Sequence, residues 1–249
     1  MATYRDRALV LRTHKLGESD RIITLLTRSH GKIRAVARGV RRTSSKFGAR
    51  LEPFSHIDGQ FAIGRSLDVV AQCDSVEVFG AKLAKDYQAY TAGQVMLETA
   101  DRLVSIEKEP ALQQYRLLVG ALSALTFGTA AGLRPPTMIL DSFLLRSLAI
   151  AGYAPSLTDC AKCGRVDGQK WFSPHDGGAV CLDCRSPGAV SPSEGAWNLL
   201  SALLTGDWVE TANVEAHIQR EVSGIVAAFT NWHLDRSLRS LPLVDRRVL

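Results

Sequence analysis

Four of the five cysteines in this 249-residue chain fall in two short pairs, Cys160-Ala161-Lys162-Cys163 and Cys181-Leu182-Asp183-Cys184, with 17 residues between them. Two thiolates two residues apart reach one ion from a tight turn, and two such turns complete a tetrahedron of sulfurs, the arrangement zinc takes in structural sites. Gly164 follows the first pair and permits the turn. Disulfides or free thiols are the alternative. The charged stretch Met1 to Arg7 lacks the apolar run of a secretory peptide, so a reducing cytoplasm is expected and metal is favoured. Four protein sulfurs leave no open coordination position, which makes one structural Zn2+ the expectation. A zinc deaminase would need a His-x-Glu partner that is missing here. His175, between the pairs, is read as a surface histidine, and Cys73 as an isolated buried thiol.

The second group with chemical meaning is basic. From Arg28 to Arg50 there are eight cations (Arg28, Lys32, Arg34, Arg38, Arg41, Arg42, Lys46, Arg50) and no acid. The net charge is +5, yet residues 1–80 hold 14 Lys and Arg against 8 Asp and Glu, whereas the rest hold 16 against 17. The excess is therefore N-terminal, and such a block raises the local concentration of a polyanion. Another cluster, Arg236, Arg239, Arg246 and Arg247, lies near the C-terminus and is read as a solvated tail or a secondary anionic contact.

Other chemistries leave no trace. Gly-x-x-x-x-Gly-Lys-Ser/Thr, Gly-x-Gly-x-x-Gly, Gly-x-Ser-x-Gly and His-Glu-x-x-His are all missing, and no close pair of acids suits a two-metal nuclease. No residue is assigned a catalytic role. With 46% hydrophobic and 22% charged residues, the composition is that of a globular chain. The longest uncharged run, Leu117 to Leu133, is 17 residues interrupted by Gly, Ser and Thr. A membrane span needs about 20 apolar residues.

The elements that would carry these groups differ along the chain. Residues 1–80 read as short strands: Ala8 to Leu11, Arg21 to Thr27, Lys32 to Arg38, Phe54 to Ile63 with a break near Asp58-Gly59, and Leu67 to Cys73. Five strands in this length suggest a small closed barrel, for which the OB fold is the common solution. In the third, period-two alternation puts Ile33, Ala35 and Ala37 inward and Lys32, Arg34 and Arg38 outward. That strand leads into a loop with Arg41, Arg42, Lys46, Arg50 and one aromatic, Phe47. Single-strand-binding barrels combine such cations with stacking aromatics, so these residues are the expected DNA contacts.

Beyond Ser75 apolar residues recur at helical spacing. Helices are expected after Val76, from Pro110 to Phe127, from Thr137 to Ala151, from a Ser191-Pro192-Ser193-Glu194 capping box, and from Val214 to Arg236. Tyr87, Tyr90, Trp197, Phe229 and Trp232 share that spacing and are read as core. The whole is an α+β multidomain chain: an OB-fold barrel in 1–80, a helical bundle in 81–155 and 189–249, and a four-cysteine zinc module inserted at 156–188. The near-neutral helical part is expected to serve partner proteins. An RNA-binding or ribosome-associated zinc-ribbon adaptor is the alternative that the same features permit.

The chain resembles the RecO recombination mediators of bacterial DNA repair. The resemblance rests on Ala8-Leu9-Val10-Leu11-Arg12 leading to Gly17-Glu18-Ser19-Asp20-Arg21-Ile22, then His30 to Gly39, Phe47-Gly48 and Leu51-Glu52-Pro53-Phe54. The paired cysteines within a helical domain are similar to those of the zinc-bearing members. The resemblance implies a non-enzymatic, cytoplasmic and nucleoid-associated protein. It would bind single-stranded and double-stranded DNA and anneal complementary strands. With RecR it would help to place RecA on DNA coated by single-strand-binding protein, engaging the C-terminal tail of the latter.

Overall fold

The computed structural model describes residues 2–234 and 236–246. It falls into two compact units, residues 1–126 and 127–249.

In the first unit, β1 (Thr3–Leu16), β2 (Asp20–Thr27), β3 (Lys32–Ala37), β4 (Ser55–Ala62) and β5 (Asp68–Val78) close a barrel in the order β1-β2-β3-β5-β4. Only β3 and β5 pair in parallel, which is the OB-fold arrangement. Val10, Ile23, Leu25, Ile33, Ala35, Ile57 and Phe61 fill the interior. Two strands are longer than the sequence suggests, because polar residues of a barrel strand face water and carry no apolar signal. No break occurs at Asp58-Gly59. Gly59 pairs within β4 opposite Cys73, and a Cβ there would lie 2.6 Å from the Phe61 ring, so this glycine makes room for an aromatic.

Leu9 and Leu26 face each other across β1 and β2 on the side opposite the barrel core, and both are fully buried. Their cover is helical. After a single turn α1 (Gly80–Leu83), helix α2 (Tyr87–Leu103) packs on β1, and its first turn is capped by Asp86, whose Oδ1 accepts from Gln88 and Ala89 N–H groups. Helix α3 (Leu112–Phe127) joins β4 through a buried hydrogen bond of 2.7 Å between Tyr115 Oη and His56 Nε2.

In the second unit α4 (Pro136–Ile150), α5 (Glu194–Thr205) and α6 (Ala216–His233) pack against one another around Leu140, Phe143, Leu200, Val226 and Phe229. Ser193 caps α5, its Oγ accepting from Ala196 N–H at 3.2 Å. Pro192 therefore precedes the cap and is not the first helical residue. Between α4 and α5 the chain forms a hairpin of β6 (Gln169–Ser173) and β7 (Gly178–Cys181). Phe229 is core as expected, but Tyr87, Tyr90 and Trp232 are 66%, 37% and 56% exposed. Each lies in the first or last turn of its helix, where the apolar stripe runs past the packed region. Among the described residues no helix is long and apolar enough to cross a membrane.

Candidate nucleic-acid interface and metal centre

β3 and the loop after it carry the basic run, but not all of it faces water. Ile33, Ala35 and Ala37 point inward as expected. Lys32, expected on the outer cationic face, is buried instead. Its Nζ donates to the Asp101 carbonyl at 2.6 Å and lies 3.2 Å from the Asp101 carboxylate. The outer side of the barrel there is under helix, and a lysine in that position needs a partner. Arg34 is exposed but forms an ion pair with Glu107.

In the loop, Arg41, Lys46 and Arg50 donate to neutral backbone carbonyls. Arg41 donates to the Glu18 carbonyl at 2.8 Å, Lys46 to the Ala71 carbonyl at 2.9 Å, and Arg50 to the Lys46 carbonyl at 2.9 Å. A carbonyl fixes a cation without cancelling its charge, so these side chains are ordered and still positive. Arg38 and Arg42 are exposed. Lys46 and Arg50 border an open depression of about 350 Å³ that Ser45, Gly48 and Ser75 also line.

Phe47 lines the same depression but exposes almost none of its own surface. It is 3% exposed and belongs to the barrel core with Leu51 and Val70. The expectation that it stacks on bases is corrected: on a small barrel with an open end, a large apolar side chain in the loop gains more from closing the core than from water. The Lys46 ammonium lies over its ring, 5.1 Å from the centroid.

One acid shapes the loop. Asp20, where β2 begins, accepts from the Gly39 N–H at 2.7 Å and from Ser19 Oγ at 3.0 Å, and these bonds, the Gly39 one first, hold its carboxyl below the usual range. Arg41 N–H donates to the Ser19 carbonyl at 3.0 Å, so the β1–β2 turn and residues 39–41 are clipped together. The turn brings Lys15 beside this end: Lys15 pairs with Arg21, and Arg21 with Ala37. Lys15 is thereby a further candidate contact, one that nothing local in the sequence indicates. Asp20→Ala should lower affinity for a single-stranded oligonucleotide several-fold by releasing Gly39, although it removes a negative charge. Asp20→Asn, which keeps an acceptor, should raise it. Fluorescence anisotropy with both variants decides: a gain for Asp20→Ala contradicts the positioning role.

Among the described residues, the C-terminal arginines are engaged within the protein. Arg246 is tied to the fully buried Asp141 at 3.1 Å and donates to the Ser223 carbonyl. Ser223 Oγ also donates to Asp141. Arg236 and Arg239 engage in interactions of their own, and Arg247 lies outside the described residues.

The four cysteines converge. Cys160 and Cys163 flank a turn closed by the Gly164 N–H donating to the Cys160 carbonyl at 2.8 Å, with Gly164 at φ +73°. Cys181 ends β7 and Cys184 ends the 3-10 turn Leu182–Cys184. The ligand atoms all lie within 4.8 Å of one another, with Cys163 and Cys181 sulfurs 3.9 Å apart. Bonds of about 2.3 Å to a tetrahedral ion require sulfurs about 3.8 Å apart, so the residues fit a metal ion. Their protonation points the same way. Desolvation pushes the Cys160 thiol up, but N–H groups of Cys181, Cys163 and Lys162 outweigh it and bring it down to about 6. Hydrogen bonds from Cys163 and Cys181 push Cys184 up to about 12. Four thiols this close cannot all ionise unless a cation compensates them.

Asp176 braces the loop between the pairs: its carboxylate accepts from Ser186 Oγ at 2.5 Å and lies 3.7 Å from Lys162 Nζ, while its backbone N–H donates to Ser173 Oγ at 3.2 Å. His175 stands outside the cluster, against the exposed Trp232 ring at 4.7 Å. Cys73 is a buried thiol in the barrel core, as expected.

A closed OB barrel with a basic loop, joined to a helical unit bearing a four-cysteine cluster that could hold a metal ion, defines a multidomain OB-fold protein. Residues 1–79 match the family model described as Recombination protein O N terminal, and residues 84–242 that of Recombination protein O C terminal. The chain is 57% identical over 246 residues to a protein of Cutibacterium acnes named DNA repair protein RecO, covering 99% of this chain and 100% of that one. Proteins of the same name from Streptomyces coelicolor and Thermobifida fusca are 56% and 55% identical over 252 and 247 residues, again covering 99% of this chain and 100% of theirs. The chain belongs to the RecO family, and its role lies in DNA repair.

Proposed function

We propose that the protein is a non-enzymatic mediator that binds single-stranded DNA through the 38–50 loop, anneals complementary strands and, with RecR, helps load RecA onto DNA coated by single-strand-binding protein. The observation that carries this reading is the set of five exposed cations, Arg38, Arg41, Arg42, Lys46 and Arg50, in an acid-free loop ordered on a closed barrel. Membership of a DNA-repair family supports DNA as the polyanion.

The geometry suggests how annealing is served. Cations that neutralise phosphates displace counterions and grip a strand without reading its sequence. With Phe47 in the core, the loop offers no aromatic face to the bases. Bases that are not stacked on protein keep their pairing edges free for a complementary strand. Duplex DNA, whose phosphates present the same charge, binds the same loop. The four cysteines hold one structural Zn2+ in this reading, and the protein works in the cytoplasm at the nucleoid.

The test is annealing of complementary oligonucleotides already coated with single-strand-binding protein, with and without RecR. Acceleration over the spontaneous rate is expected. A stronger preference for structured RNA at matched salt, or cleavage of labelled DNA with magnesium, would overturn the reading.

A further inference from the structure

Three cations of β1 and β3, Arg12, Lys32 and Arg34, are held by two acids from the helical side of the same unit. Asp101, at the end of α2, pairs with Arg12 at 2.8 Å and with Lys32 at 3.2 Å. Glu107, in the connection to α3, pairs with Arg34. The backbone shows that this is a built arrangement. Lys108 N–H donates to the Lys32 carbonyl at 2.8 Å, and Lys32 and Glu107 form a parallel bridge. Gly31 approaches so closely that a Cβ on it would lie 1.7 Å from the Glu109 carbonyl oxygen. Lys108 Nζ in turn reaches the buried Asp68 of the barrel at 3.0 Å. Residues 101–109 thus form a strap stitched along the start of β3, and its carboxylates engage Arg12 and Arg34.

We propose that Asp101 and Glu107 are internal competitors of nucleic-acid phosphate: they confine the strand to the 38–50 loop and limit its affinity. The inference rests on the reading of that loop as the DNA interface. A carboxylate at an ion-pair distance gives the guanidinium most of what a phosphate would give. It does so without the entropy of recruiting a second molecule, so the internal acid wins wherever the strap is docked. Arg38 and Arg42, by contrast, meet no such competitor beyond the field of Asp20, whose carboxylate is engaged by Gly39.

Glu107→Gln is the informative change, because its ion pair with Arg34 is half exposed and exposed pairs add little to stability. Released from Glu107, Arg34 gains a phosphate contact. One additional contact on a single strand steepens the log-log salt dependence by about 0.7, which corresponds to roughly fivefold tighter binding at 0.1 M salt. Anisotropy titrations of the full chain with a single-stranded oligonucleotide would compare wild type, Glu107→Gln, Arg34→Gln, the double variant, and Glu109→Gln, which removes the same charge two residues away. The expected pattern is a gain for Glu107→Gln, little change for Arg34→Gln alone, and return to the wild-type level in the double variant. A gain below about twofold overturns the inference, as does a gain that survives in the double variant or is matched by Glu109→Gln. Failure of the wild type to bind any oligonucleotide would instead overturn the reading of the loop, and this inference with it.

Discussion

Reversing Arg38, Arg41 and Arg42 to Glu together should weaken single-stranded DNA binding by on the order of 100-fold at 0.1 M salt, since each lost phosphate contact accounts for about a fivefold factor and reversal adds repulsion. These three are exposed, and none is cancelled by a carboxylate in contact with it. The wild-type affinity should itself fall with a log-log salt slope of roughly −3 if about four cations act at once, or on the order of 50-fold for a fourfold rise in salt. The variant should also show a shallower slope. Filter binding across a salt series measures both quantities. Unchanged affinity in the triple variant would place the DNA elsewhere and end the loop hypothesis. Because all three side chains lie outside the barrel core, its melting temperature should stay near that of the wild type.

Substitution of Cys160 by Ser should have the largest effect on structure. The segment 156–188 buries little apolar surface of its own: Val180 and the sulfurs form a small cluster with Trp171 and Ala189 packed against it. Zinc binding to peptides of this kind supplies an apparent ~10–16 kcal/mol at pH 7, and without it such modules do not fold. Zinc content should drop from one ion per chain to near none, and proteolysis should concentrate in the two cysteine turns. The hairpin would hold on longer at Phe172, which is anchored to Val190 by paired backbone hydrogen bonds of 2.8 and 2.9 Å and packs against Phe229 at 5.8 Å. DNA binding should remain within a few-fold of wild type, because the basic loop belongs to the other unit. A Cys160→Ser protein that keeps its metal and its protease resistance would show that the cysteines are not the ligands, and wild-type protein purified without chelator yet free of zinc would do the same.

Features that short stretches of chain specify could be read without any structure. Two residues between cysteines and a following glycine dictate a turn that aims two sulfurs at one point, wherever the turn is placed in the fold. Alternation in Lys32 to Ala37 dictated which side chains enter the barrel, because neighbouring residues of a strand cannot share a face. The absence of acids between Arg28 and Arg50 likewise needs no structure to be seen. Which of those cations remain free depends on the packing of distant segments. Lys32 and Arg34 meet Asp101 and Glu107 some seventy positions further along, and Arg246 meets Asp141 from the far end of the chain. Phe47 turned inward because the barrel had an open end for it to fill. Charge in a sequence is a property of each residue, but free charge and accessible surface are properties of pairs, and the partners are chosen by how distant segments pack.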